Sequence, residues 1–131
     1  MDNYNSNYIT TDLNQFMHDD CSKKMTVNNI DCVQYKKYYN SPNIIRIIES
    51  KHWNESMPPT QFELLKELAE VFKNNNAETK CECYIIRGDY PYNLVEITNL
   101  INGEVVICKD RKRFMQFCNF EIEFEQLGGK S

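Results

Sequence analysis

The chain has 131 residues, 41% of them hydrophobic and 12% aromatic, enough for one packed domain with an arm. Fifteen Lys and Arg against 19 Asp and Glu leave a formal charge of −4, which excludes a broadly basic, histone-like protein. The mean hydropathy is −0.63, and no apolar run approaches the roughly 18 residues that span a bilayer, so no membrane partner is expected.

Asn fills 16 positions and Ile 12, while Ala appears only at Ala69 and Ala77. AT-rich codons favour that mix, as in a virus, a protozoan or another AT-rich genome. Cysteines stand at 21, 32, 81, 83, 108 and 118. The sequence begins without a basic stretch leading into an apolar one, so reduced thiols and an intracellular setting, cytoplasmic or nuclear, are expected. On the same ground the sequon Asn54-Glu55-Ser56 and the tripeptide Arg87-Gly88-Asp89 read as chance matches.

Residues 1–12 are polar and read as an arm. Leu13, Phe16 and Met17 then fit a short helix over 12–20, with Thr11 or Asp12 as cap. Residues 24–39 fit neither period cleanly. Ser41-Pro42 predicts a helix over Asn43 to Trp53, with Ile44, Ile45, Ile47 and Ile48 as its apolar content. Met57-Pro58-Pro59 is the clearest break. Thr60-Gln61-Phe62-Glu63 beyond it predicts a capping box, followed by a helix to Lys73 with Phe62, Leu65, Leu68 and Phe72 on its apolar stripe.

Strands are predicted over 81–86, 94–98 and 104–108, with a turn at Tyr90-Pro91-Tyr92 and a hairpin at Asn102-Gly103. The last segment has two readings: a helix from about Asp110, or a helix over 111–118 followed by a fourth strand over 119–126. The second is favoured by the alternation Phe120-Glu121-Ile122-Glu123-Phe124-Glu125. Leu127 to Ser131 reads as a flexible tail, and its Gly-Gly-Lys-Ser lacks the setting of a phosphate loop.

No catalytic constellation is legible. His18 and His52 lie in no motif and read as surface or cap residues. Cys81 and Cys83 share a strand face, but structural zinc prefers paired Cys-x₂₋₄-Cys knuckles, so buried free thiols are the expectation. Asp19-Asp20 and Glu121, Glu123 and Glu125 read as solvated carboxylates. The one basic cluster is Lys109, Arg111, Lys112 and Arg113, placed to surround a helix N-terminus, where phosphate binds well. Tyr35, Tyr38 and Tyr39, with Trp53, are the candidate protein-contact residues, since Tyr and Trp are enriched at interfaces.

Residues 59–127 resemble a degenerate double-stranded RNA-binding domain. Leu65-Lys66-Glu67 resembles the Leu-x-Glu element of that family's first helix. Asn102-Gly103 followed by Arg111-Lys112-Arg113-Phe114-Met115 resembles its hairpin and the basic start of its last helix. The resemblance implies duplex contacts through the basic pair and the first helix. Phe114 stands where the family has Ala, and Met115 where it has Lys. Residues 58–131 hold 9 basic against 12 acidic side chains, a net −3. Members without RNA contacts often bind proteins, so the resemblance implies pairing more than RNA.

The expected fold is α+β: helices mostly in the N-terminal half, then an antiparallel meander of three to four strands packed on the Thr60–Lys73 helix. The expected divisions are an arm and helical region over 1–57, an α-β-β-β-(α or β) domain over 58–127, and a tail over 128–131. The expected function is non-catalytic protein–protein interaction, adaptor or regulatory, with a protein partner or a second copy of the chain. RNA binding through Lys109, Arg111, Lys112 and Arg113 is the alternative. No cofactor and no metal site is expected.

Overall fold

The computed structural model describes residues 16, 17, 19, 30–74 and 78–128. The chain divides into two units, Met1–Asp31 and Cys32–Ser131. In the first, Phe16, Met17 and Asp19 are helical. The rest of the helix expected over 12–20 lies outside the described residues, as do His18 and Cys21.

The second unit is α+β. In chain order it holds β1 (Cys32–Lys36), β2 (Ile44–Lys51), α1 (Pro59–Lys73), β3 (Lys80–Gly88), β4 (Val95–Asn99), β5 (Val105–Cys108), α2 (Arg111–Cys118) and a 3₁₀ turn (Phe124–Gln126). The five strands form one sheet in the order β1-β2-β3-β4-β5. Every neighbouring pair is antiparallel except β2 and β3. That parallel pair needs a crossover, and α1 supplies it.

The helix predicted over Asn43 to Trp53 is overturned: Ile44–Lys51 is a strand. Isoleucines at 44, 45, 47 and 48 satisfy either period. Their branched β-carbons favour the pleated surface. An inner strand buries both faces, so consecutive apolar residues are what it needs. The helices of this unit therefore do not fall mostly in the N-terminal half, and the sheet has five strands. Residues 32–51 contribute two of them.

The helix expected from Thr60 forms, but its start differs. Pro58 precedes it in extended conformation, no side chain caps it, and the Phe62 amide bonds the Pro58 carbonyl at 3.0 Å. The expected Thr60–Glu63 capping box is absent. Pro59 opens the helix at a position that needs no amide donor.

The core is two layers rather than the single one expected. On one face Leu65 and Ala69 of α1 pack against Ile47, Cys83 and Ile85, with Leu68 and Phe72 alongside. On the other, Phe114 and Phe117 of α2 join Ile48, Tyr84, Ile86, Val95, Ile97, Cys108, Phe124 and Leu127. Side chains alternate along a strand, so Tyr84 and Ile86 cannot share a face with Cys83 and Ile85. The apolar stripe of α1 therefore meets the face that carries Cys83 and Ile85, not the face of Tyr84, Ile86, Val95 and Ile97, and Phe62 at its start is exposed rather than packed.

The hairpin at Asn102-Gly103 forms, with Gly103 at φ 80°. Gly88 is required by close approach, because a β-carbon there would lie 2.8 Å from Val95 Cγ1. The fourth strand expected over 119–126 is overturned. Phe120 takes φ 62° directly after α2 and turns the chain back, and Phe124–Gln126 forms the 3₁₀ turn. Phe124 and Leu127 then enter the α2-side core. From 59 to 118 the elements run helix, three strands, helix, with the two helices on opposite faces of the sheet.

Candidate interaction surface

The basic cluster is gathered at the start of α2, as its spacing implied, but much of it is already bonded. Asp110 caps the helix, its carboxylate accepting from the amides of Lys112 at 3.0 Å and Arg113 at 3.4 Å. Those are two of the donors a phosphate would use. Arg111 donates through Nε to the Pro91 carbonyl at 2.7 Å, and Arg113 to the Gln126 carbonyl at 2.8 Å. The four cations do not converge. Lys109 and Arg113 line a groove of about 380 Å³ with Ile107, Asp110, Leu127 and Gly128. Arg111 walls a separate apolar hollow of about 150 Å³ beside Tyr92, Phe114 and Met115. Lys112 lines neither.

The aromatic candidates sit elsewhere. Tyr35 lies on β1, and its hydroxyl accepts from the Asn43 amide group at 3.1 Å. Tyr38 follows, its backbone amide held by Asn43 Oδ1 at 3.0 Å, and Tyr39 is fully exposed. Trp53 is half-buried in the turn after β2. The structure brings Tyr35, Tyr38 and Tyr39 to one border of the sheet, in or just after β1, and leaves Trp53 beyond the end of β2.

Sequence reasoning named Tyr35 but missed the other exposed apolar residues of the two border strands, Val33, Val105 and Ile107. Val33 and Tyr35 on β1 are each 59% exposed, and Val105 and Ile107 on β5 are 55% and 44% exposed. All four lie on the α1 side of the sheet, beyond the strands that α1 covers. The available signal was β-branched residues at consecutive positions of β5. A buried strand needs apolar residues on both faces, but only one face of β5 meets the core.

Backbone geometry at these borders follows from the register. The Asn99 amide donates to the Glu104 carbonyl at 2.8 Å. Alternation from that bond turns Val106 and Cys108 toward β4, and the N–H and C=O of Val105 and Ile107 outward. On the other side the Lys80 amide donates to the Asn43 carbonyl at 2.8 Å. In a parallel pair that directs residues 45, 47 and 49 of β2 toward β3, and 44, 46 and 48 toward β1. Through the register, Cys32, Gln34 and Lys36 bond β2, and the backbone of Val33 and Tyr35 faces outward.

A buried charged network lies under α2. Arg46 donates to Glu82 at 2.9 Å and to the Phe117 carbonyl at 2.7 Å, and its guanidinium stacks on Phe117 and Phe120 at 4.1 and 4.0 Å. The Tyr84 hydroxyl donates to Glu82 at 3.1 Å. Burial, reinforced by the Glu82 charge, pushes the Tyr84 hydroxyl far up, so it remains a donor. Every group here has a partner, and the network reads as structural.

The thiols and His52 assemble nothing further. His52 is exposed and contacts Asp89 at 2.8 Å. Burial pushes the Cys83 thiol up to about 11 and also raises Cys118. At pH 8 Cys83 is therefore a thiol, not a nucleophilic thiolate. In native protein iodoacetamide is expected to label the exposed Cys32 quickly and Cys83 only after unfolding, as mapped by peptide mass. A chelator is expected to leave the circular dichroism unchanged. Equal labelling rates at Cys32 and Cys83 would show that the α1-side core opens readily. Among the described residues no group of three or more His, Cys, Asp or Glu is placed to hold a metal ion, and no helix is long and apolar enough to cross a membrane. No family model matches the chain, and neither a curated protein nor a solved structure matches it at a significant level.

Proposed function

We propose that this chain is a non-catalytic protein-interaction module, an adaptor or regulatory protein of the cell interior, that engages its partner through the borders of its sheet. The observation that carries this reading is the pair of border strands, unpaired among the described residues, each with outward backbone donors and acceptors and exposed β-branched or aromatic side chains. Strand addition uses those two features, backbone bonds for affinity and alternate side chains for selection. Tyr35, Tyr38 and Tyr39 enlarge the β1 border.

RNA binding is the second reading, favoured by the exposed Lys109 and Lys112 beside the start of α2. The capped helix, the engaged Arg111 and Arg113 and the net −3 of residues 58–131 weigh against it. Duplex RNA titrated over a range of salt separates the two. The wild type and an Arg111→Ala/Lys112→Ala/Arg113→Ala variant are expected to give the same weak signal. Tight wild-type binding, lost in the variant and falling with salt at a slope of about −0.7 to −0.9 per phosphate neutralised, would overturn the interaction reading.

A further inference from the structure

We propose that the two borders of this sheet, open among the described residues, are complementary to each other, and that the chain adds to itself head to tail, β5 of one copy accepting β1 of the next. This rests on the reading of the chain as a protein-interaction module and names the partner as a second copy.

Strand direction comes first. β1 opposes β2, β2 and β3 run together, β4 opposes β3, and β5 opposes β4. The single parallel pair makes β1 and β5 antiparallel to one another. A second copy continuing the sheet without being flipped therefore presents β1 antiparallel to β5, with the α1 side of both copies on the same face.

Backbone and side chains agree with that placement. The outward groups belong to Val33 and Tyr35 on β1 and to Val105 and Ile107 on β5, and directly opposite residues in an antiparallel pair exchange bonds in this way. One register sets Val33 opposite Ile107 and Tyr35 opposite Val105, all four on the α1 face. The same register sets Lys36 opposite Glu104 on the other face. Two apolar pairs and one opposite-charge pair are the cross-strand combinations that stabilise a ladder. A two-fold β5–β5 pairing with Val105 opposite Ile107 instead puts Glu104 opposite buried Cys108, and leaves Lys36 without that partner. A lysine on a border strand ordinarily repels further pairing; here its counter-charge is carried by the other border. The contact is heterologous, so it does not close on itself. With about four side chains a side it falls among small, weak interfaces.

Sedimentation velocity on the full chain tests this, over about 10 μM to about 1 mM, the range suited to a weak interface. The wild type is expected to gain mass with concentration and to continue past a dimer. Val33→Lys and Ile107→Lys, both at exposed positions, are each expected to remain monomeric with wild-type circular dichroism. Mixed in equal amounts, the two variants are expected to form dimers and nothing larger, because each keeps one intact border. Lys36→Glu is expected to weaken assembly about two- to fivefold, and Lys36→Glu/Glu104→Lys to restore it. A wild type that stays monomeric throughout, a closed dimer, or assembly unaffected by both lysine variants would overturn head-to-tail addition. The broader interaction reading falls on a different result, salt-dependent duplex RNA binding through Arg111 to Arg113.

Discussion

Arg46→Ala is expected to cost about 3–5 kcal/mol of folding stability, read as a lower urea midpoint with an unchanged slope. Arg46 is 3% exposed, bonded to Glu82 and to the Phe117 carbonyl, and stacked between Phe117 and Phe120. Truncation leaves Glu82 buried, with Tyr84 donating to it and Lys80 Nζ at 3.4 Å. It also removes one of two donors to the Phe117 carbonyl, which keeps only the Phe120 amide at 3.0 Å. Against a typical total of about 5–15 kcal/mol, that is a large share. Arg46→Lys is not expected to rescue the loss, because a compact ammonium cannot reach both acceptors and stack between two rings. Arg46→Met/Glu82→Gln is expected to be less damaging than Arg46→Ala alone, since the buried carboxylate that loses its guanidinium partner is then neutral. An unchanged midpoint for Arg46→Ala would show that the network contributes nothing.

Phe117→Ala is expected to cost about 3–5 kcal/mol. Phe117 is fully buried, meets Tyr84 edge-on with ring centroids 5.2 Å apart, and is one of two buried anchors of the eight-residue α2. A helix that short has little stability of its own, so its packing holds it in place. Removing the ring takes away both the core contact and one face of the Arg46 stack. The losses from Phe117→Ala and Arg46→Ala are therefore expected to be non-additive when combined. A thermal midpoint within about 2 °C of wild type, a shift worth well under 1 kcal/mol, would overturn the packing of α2 on this face.

The elements legible in the sequence are those where one period stands alone. The Phe62-to-Phe72 spacing fits only a helix, Asn102-Gly103 only a tight turn, and residues 81–86, 94–98 and 104–108 all became strands. Ile44, Ile45, Ile47 and Ile48 fit both periods, and their β-branching was the better guide than Pro42. Over 120–125 the alternation was real, but alternation marks every second residue for burial and does not by itself require a strand. Phe120 instead turns the chain across the α2-side core, and Phe124 fills it. The position of the basic cluster at a helix start was readable. That Asp110, Pro91 and Gln126 would occupy its donors was not, because two of those partners are backbone carbonyls brought in by tertiary contacts. The border strands were invisible as such, since a sequence does not state which strand lies outermost.

The one parallel pair also divides the unit by contact distance along the chain. Each β2–β3 pair joins residues 36 apart, as Ile44 to Lys80, whereas β3–β4 pairs are 15 apart or fewer, as Tyr84 to Asn99. Loop closure makes the longer separation the slower one to form. β1–β2 is then one local hairpin, β3 to α2 is another local block, and the parallel seam between them is a fault line. Under mild denaturant, hydrogen exchange is expected to show the β1–β2 amides opening together while those of β3 facing β4 stay protected. Exchange of all five strands as a single unit would show that Arg46, anchored across the seam to Glu82 and the Phe117 carbonyl, welds the two blocks into one cooperative body.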